Sequence, residues 1–299
     1  MKKVLVTGGS GFLGKRLSIF KPEWIYLSSN ECDLTNRKQT RELFQDLKPS
    51  SIIHLASRVG GIKDNAKNQA EFYYQNTMIN SNVLNEAHNA GVDRVLSSLS
   101  TCAFPNRLGF YPFKEESMFD GPPAETNFSY GMTKRMLQVA SLSYRSQHGR
   151  NYSTFCPSNL YGPQDRFGDE NSHFVPSLIH KIASSFDGDS IDLWGTGSPL
   201  RQQLYVDDLC EIIPILLEKH DSTKPLIVAP SESLSIKEMC EKLIKISGKH
   251  LSYSFNGNLD GQFRKDGSNE SLLNLIGDFK FTSFEDGIKK TYNWYLENK

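Results

Sequence analysis

The chain opens on a short apolar run, Val4-Leu5-Val6, that stops at Thr7-Gly8-Gly9. Similar runs follow at Trp24–Leu27, Ser51–Ala56 and Arg94–Leu99. Each has the length and apolar centre of a buried strand. Longer helical stretches lie between them, as over Tyr73–Ala90. Strand–helix alternation of this kind predicts βαβ units and a parallel sheet covered on both faces.

The pattern changes after Pro157. Turn signals become dense at Tyr161-Gly162-Pro163, Phe186-Asp187-Gly188-Asp189 and Trp194-Gly195-Thr196-Gly197. A compact segment, Leu204–Leu209, leads into a helix running to about Lys219, and helical patterning returns over Ser235–Ser247. The chain therefore divides into a first region, 1–160, and a smaller one, 161–299. The helix near 204–219 is expected to pack back on the first region.

Composition narrows the class. Among 299 residues, 34 Lys plus Arg balance 34 Asp plus Glu, so no basic surplus marks a nucleic-acid binder. With 38% apolar and 23% charged residues the chain is globular, and its length supports a sizeable core without staples. The apolar stretch Ile212–Leu217 falls far short of the roughly 18 residues that span a bilayer. The start lacks the apolar core of a signal peptide. Five cysteines are scattered without a Cys-x-x-Cys pair, which argues against a disulfide framework and a metal site. These features predict a cytoplasmic protein without membrane or nucleic-acid partners.

The glycines after the first strand carry the first chemistry. Gly8, Gly11 and Gly14 follow a G-x-x-G-x-x-G spacing between a strand and a helix start. Such glycines allow a tight turn and close approach to a pyrophosphate, which the helix N-terminus then receives. The first region is thus expected to bind a dinucleotide. At the end of the second strand, where NAD enzymes place an acidic residue, the chain reads Ser28-Ser29-Asn30. Hydroxyls and an amide there favour NADP(H). Asp33 and Leu34 are placed to meet the adenine end.

Tyr130 and Lys134 lie four apart, on one face of a helix. Tyr295 and Lys299 share that spacing, at the tail, so position must separate the pairs. Ser100 follows a strand at its carboxyl end, and Tyr130 opens the next helical stretch. A strand-end Ser with Tyr and Lys on the next helix resembles the extended branch of the short-chain dehydrogenase/reductase superfamily. That resemblance implies a Rossmann-type doubly wound α/β sheet with a smaller C-terminal α/β substrate-binding domain. It implies that Tyr130 protonates a carbonyl oxygen, that Ser100 hydrogen-bonds the same oxygen, and that Lys134 lowers the Tyr130 pKa. It also implies a cofactor lying along Gly8, Gly9, Ser10, Gly11, Phe12, Leu13 and Gly14. From there the cofactor would reach Ser28, Asp33 and Leu34, and pass Ala56, Tyr130, Lys134, Pro157, Asn159, Leu160 and His173.

Five further segments narrow the branch: Val59–Ile62, Ser100–Pro105, Asn171–Pro176, Trp194–Gln202 and Asp260–Lys265. Cys102 and Ala103 stand where sugar-nucleotide dehydratases carry an Asp-Glu pair, which counts against dehydration. The set resembles the GDP-L-fucose synthase family, whose members epimerise C3 and C5 of a GDP-4-keto-6-deoxymannose and reduce C4. This likeness implies Cys102 and His173 as acid and base. It implies Arg201, Lys265 and Lys181 near the substrate diphosphate, and Trp194 and Asn159 against the nucleotide or sugar. A GDP-sugar substrate and a homodimer follow from the same likeness. His54, inside an apolar strand, is read as a satisfied core histidine, and Cys32, Cys156, Cys210 and Cys240 as structural. A colitose-forming sister enzyme, a UDP-sugar 4-epimerase and a non-catalytic dinucleotide-binding protein remain the alternatives.

Overall fold

Strands with apolar side chains on both faces need cover on both, and the chain supplies it. The computed structural model describes residues 3–168, 172–257 and 260–299, without the side chains of Ile62 and Lys63. Asn171, in one of the segments singled out above, lies outside the described residues. Strand β1 (Val4–Thr7) turns into α1 (Phe12–Phe20), followed by β2 (Ile25–Leu27), α2 (Arg37–Leu47) and β3 (Ser51–His54). Next come α3 (Ile62–Lys67), α4 (Gln69–Asn89), β4 (Arg94–Ser98), α5 (Phe128–His148) and β5 (Asn151–Pro157). The later chain forms β6 (Asn159–Tyr161), α6 (Phe174–Ser184), β7 (Ser190–Leu193), β8 (Leu200–Arg201), β9 (Gln203–Tyr205) and α7 (Val206–Lys219). It ends with β10 (Leu226–Val228), β11 (Leu234–Ser235), α8 (Ile236–Ser247), β12 (Ser252–Phe255), β13 (Arg264–Lys265), α9 (Glu270–Ile276) and α10 (Phe284–Asn298).

The main sheet has six parallel strands in the order β10-β5-β4-β3-β1-β2. The chain leaves β1 for β2 on one side, then crosses to β3 on the other. The winding reverses between β1 and β3, and a crevice opens there at the strands' carboxyl ends. Leu5, Ile52, Val95 and Tyr152 pack on one face with Phe44, Leu84 and Leu137 from α2, α4 and α5. Val6, Ile53, Leu96 and Phe155 pack on the other with Leu17 of α1 and Leu209 and Ile213 of α7. Both alternating sets are buried, which is why the runs show no polar alternation.

Helix α7 packs against α1, and β10 then joins the sheet beside β5. The remaining strands form a sheet in the order β11-β8-β13 and the pairs β12–β7 and β6–β9. Val175, Ile179 and Ile182 of α6, Leu243 of α8 and Ile288 of α10 build a separate core over them. Among the described residues no helix is long and apolar enough to cross a membrane.

Arg94 joins the sheet to the end of α7. Its guanidinium donates to the Leu217, Leu216 and His220 carbonyls at 2.9, 2.8 and 3.1 Å, and to Asn151 Oδ1 at 2.9 Å. Helix ends leave such carbonyls without partners, so this one cation satisfies several. Burial draws its pKa down to about 10. We expect Arg94→Met to cost about 3 kcal/mol, because it strands these buried acceptors. Urea denaturation checks this, and a midpoint unchanged from the parent chain would refute the assignment.

Candidate active site

The glycine turn after β1 has the shape a dinucleotide needs. Gly8 sits at φ +73°, and a Cβ there would lie 2.8 Å from the Ala56 amide nitrogen. A Cβ on Gly14 would overlap the Gly8 carbonyl oxygen. The loop, the start of α1 and the end of β3 thus meet at backbone distance. Gly11 caps α1 without a side-chain hydrogen bond, so the first amides of the helix stay open for an anion. Ser10 and Gly11 are exposed, and Phe12 and Leu13 half-buried beside them. These residues fit a bound pyrophosphate.

The end of β2 differs from expectation. Glu31 folds back, and its carboxylate accepts from the Ser28 amide at 2.8 Å and the Ser28 hydroxyl at 2.7 Å. A carboxylate therefore does reach the strand end, from three residues on. Asp33 accepts from the Thr35 amide and hydroxyl at 2.9 and 2.7 Å. The Leu34 side chain is committed to the core and its carbonyl to Asn82.

Tyr130 and Lys134 stand on the first turns of α5, against the turn after β4. The Ser100 hydroxyl caps that turn by accepting from the Cys102 amide at 3.2 Å. The Tyr130 phenol is buried, and the neighbouring Ser100 and Ser57 side chains act to lower its proton affinity. The expected lowering of its pKa by Lys134 is corrected here. Burial, and then the neighbouring Cys102, push the phenol above its ordinary value. Lys134 is itself drawn down to about 8 by burial. Its ammonium donates to the Ser98 carbonyl at 2.8 Å and lies 5.7 Å from the Tyr130 ring centre. A neutral phenol is the form that can give a proton away.

Cys102 is partly exposed, whereas Cys32, Cys156, Cys210 and Cys240 are buried. Its Sγ accepts from Asn127 Nδ2 at 2.9 Å and from Lys265 Nζ at 3.2 Å. The Oδ1 of Asn127 is buried without a hydrogen-bond partner beside it. Parallel pairing of β13 with β8 sets Lys265 in register with Arg201. Arg201 donates to the Leu200 carbonyl at 2.7 Å, and burial lowers its pKa against the opposing pull of Cys102. His173 stands at the N-cap of α6. Desolvation, then the Lys265 and Arg166 cations, hold its imidazole below the ordinary value.

Other expected residues are placed as follows. Pro157 ends β5 and Asn159 starts β6, with Ser158 between them and Leu160 half-buried. Trp194 is 58% exposed, on a turn whose Thr196 is held by the Asp260 carboxylate. Lys181 lies apart on an exposed turn of α6, its ammonium on the Asp192 carbonyl at 2.5 Å. His54 is a satisfied core residue: its ring bonds Thr7 Oγ1 at 2.8 Å and Asn80 Oδ1 at 3.1 Å. Burial and then Lys134 lower it to about 4. Sequence reasoning missed Ser57 and Asn127. Ser57 directly follows Ala56 at a strand end, a usable signal; Asn127 sits in a short turn and carries none.

Comparison with known proteins adds three findings. Residues 4–229 match the model of the NAD dependent epimerase/dehydratase family. A probable GDP-L-fucose synthase of Drosophila melanogaster is 37% identical over 100% of this chain and 98% of its own length. A GDP-L-fucose synthetase of Naegleria fowleri, solved bound to NADP, superposes with a TM-score of 0.91 at 32% identity, covering 99% of this chain and 93% of that one.

The buried lysine has a testable cost. Its folded pKa of about 8 lies below the ordinary 10.5, so the unfolded chain binds more protons between those values. Stability should therefore rise with pH from about 8 to about 10.5, relative to a variant without the amine. We expect Lys134→Met to exceed the ligand-free parent by about 2–3 kcal/mol at pH 7 and to lose that advantage near pH 10. Parallel urea titrations at both pH values decide; a pH-independent difference would contradict it.

Proposed function

The chain belongs to the NAD dependent epimerase/dehydratase family, and from that premise we propose that it converts GDP-4-keto-6-deoxymannose to GDP-L-fucose with NADPH. It inverts C3 and C5 and then reduces C4. The observation that carries this reading is a thiol set beside the phenol. Cys102 is near enough to Tyr130 to push its proton affinity up, and its sulfur is held by Lys265, the cation that also acts on His173. A simple reductase has no need of the thiol and imidazole.

The C4 ketone acidifies the protons on C3 and C5. Inverting a centre takes a base on one face and an acid on the other, the roles we give to Cys102 and His173. A lowered imidazole value makes the protonated ring the stronger acid. Tyr130, kept neutral by burial, then gives its proton to the C4 oxygen. Ser100 and Ser57 stand beside the phenol, and the Ser100 hydroxyl also orders the turn that carries Cys102. Arg201 and Trp194 receive the nucleotide. Bound NADPH supplies the hydride. The glycine turn and the open start of α1 would hold its pyrophosphate, and the two Ser28 donors that Glu31 now occupies would hold its 2′-phosphate.

The exposed apolar side chains Tyr73 and Tyr74 of α4, with Met136 and Val139 of α5, support a homodimer through those helices. Five unpaired thiols support a reducing, cytoplasmic setting.

Two variants test the roles separately. Tyr130→Phe should lower the reduction rate by about 10²-fold or more while NADPH affinity stays within about twofold. Cys102→Ser should bind NADPH normally and lose proton exchange at C3 and C5 by a similar factor. Full turnover in Tyr130→Phe would sink the mechanism and return a binding protein to the front.

A further inference from the structure

Lys265 matches a family position expected to pair with the substrate diphosphate, yet its ammonium is spent elsewhere. It donates to Cys102 Sγ at 3.2 Å across 163 residues of chain. Hydrogen bonds on both sides of it in the chain deliver it there. Gln262 Nε2 donates to the Pro105 carbonyl at 3.0 Å. The Phe113 amide donates to the Asp266 carbonyl at 2.7 Å, and the Ser268 amide to the Phe113 carbonyl at 2.8 Å. Gln202 and Gly267 exchange a pair of hydrogen bonds at 3.0 and 2.8 Å. The 262–268 segment is thus stitched to the loop that leaves Cys102, and Lys265 is carried in with it. Asn127, directly before α5, donates its amide to the same sulfur at 2.9 Å.

We propose that Lys265 is the positioning residue for Cys102: together with Asn127 it fixes the sulfur in the place from which it accepts a proton. The inference rests on the reading of Cys102 as the base. Other groups also face the thiol. Tyr130 and Lys134 come from α5, Arg201 from β8 and Cys156 from β5. Lys134 bonds the Ser98 carbonyl and Arg201 the Leu200 carbonyl, so Lys265 is the cation in hydrogen-bond contact with the sulfur. A thiolate is the reactive form of cysteine, and an adjacent ammonium stabilises it. In the proposed step the sulfur takes the proton from C3 or C5. The S–H bond forms as the C–H bond breaks, and the electron pair moves toward the C4 oxygen.

The test reads the sulfur directly, without sugar turnover. Cys102 is the only one of the five cysteines that is not buried. Its alkylation by iodoacetamide is therefore followed at pH 7.5 in the full chain, with Cys102→Ser as background. Lys265→Met should slow alkylation about tenfold, and Lys265→Arg should restore it to within about threefold. GDP affinity, measured by calorimetry, should stay within about twofold. Unchanged alkylation in a folded Lys265→Met variant would overturn the proposal, and a concurrent tenfold loss of GDP affinity would return Lys265 to the diphosphate. Slowed alkylation would support the lysine–thiol pair even if the sugar substrate proves to be another.

Discussion

The site depends on how closely α5 lies against the turn after β4. Gly131 makes that approach possible: a Cβ there would overlap the Cys102 carbonyl oxygen. Arg135 then locks the contact, donating to the Ala103 carbonyl at 2.5 Å and the Gly121 carbonyl at 2.6 Å. One turn of helix thereby sets Tyr130 and Lys134 against the strand end that carries Ser100 and Cys102. A wider gap would leave the phenol in water, where its proton affinity would be ordinary.

The same contact explains the electrostatics. Burial acts on phenol and ammonium in opposite senses, raising one and lowering the other, because in each case it disfavours the charged form. The two therefore move toward mutual neutrality. The ammonium that bonds a sulfur here is Lys265, brought from the far end of the chain. The site thus divides its cations between two tasks, one near the phenol and one at the thiol.

Much of this was legible in the sequence. Apolar runs located β1, β2, β3 and β4, because a doubly covered sheet tolerates no polar alternation. The glycine spacing located the turn, because only a bare backbone fits between Ala56 and α1. What escaped is what depends on long-range approach. The residue spacing of Tyr130 and Lys134 says nothing of how deeply α5 buries them, so the direction of the tyrosine shift was misjudged. Nor does spacing show Glu31 folding back on Ser28, or β13 carrying Lys265 to Cys102. Asn127 was invisible because a short turn has no periodicity to betray it.

One incubation in heavy water tests the central claim most directly. GDP-4-keto-6-deoxymannose and NADPH are supplied together, and the nucleotide-sugar product is weighed. The account requires NADPH consumption with two solvent deuteriums on carbon, one at each inverted centre. Reduction with one deuterium or none would contradict it and leave a single epimerase or a plain reductase.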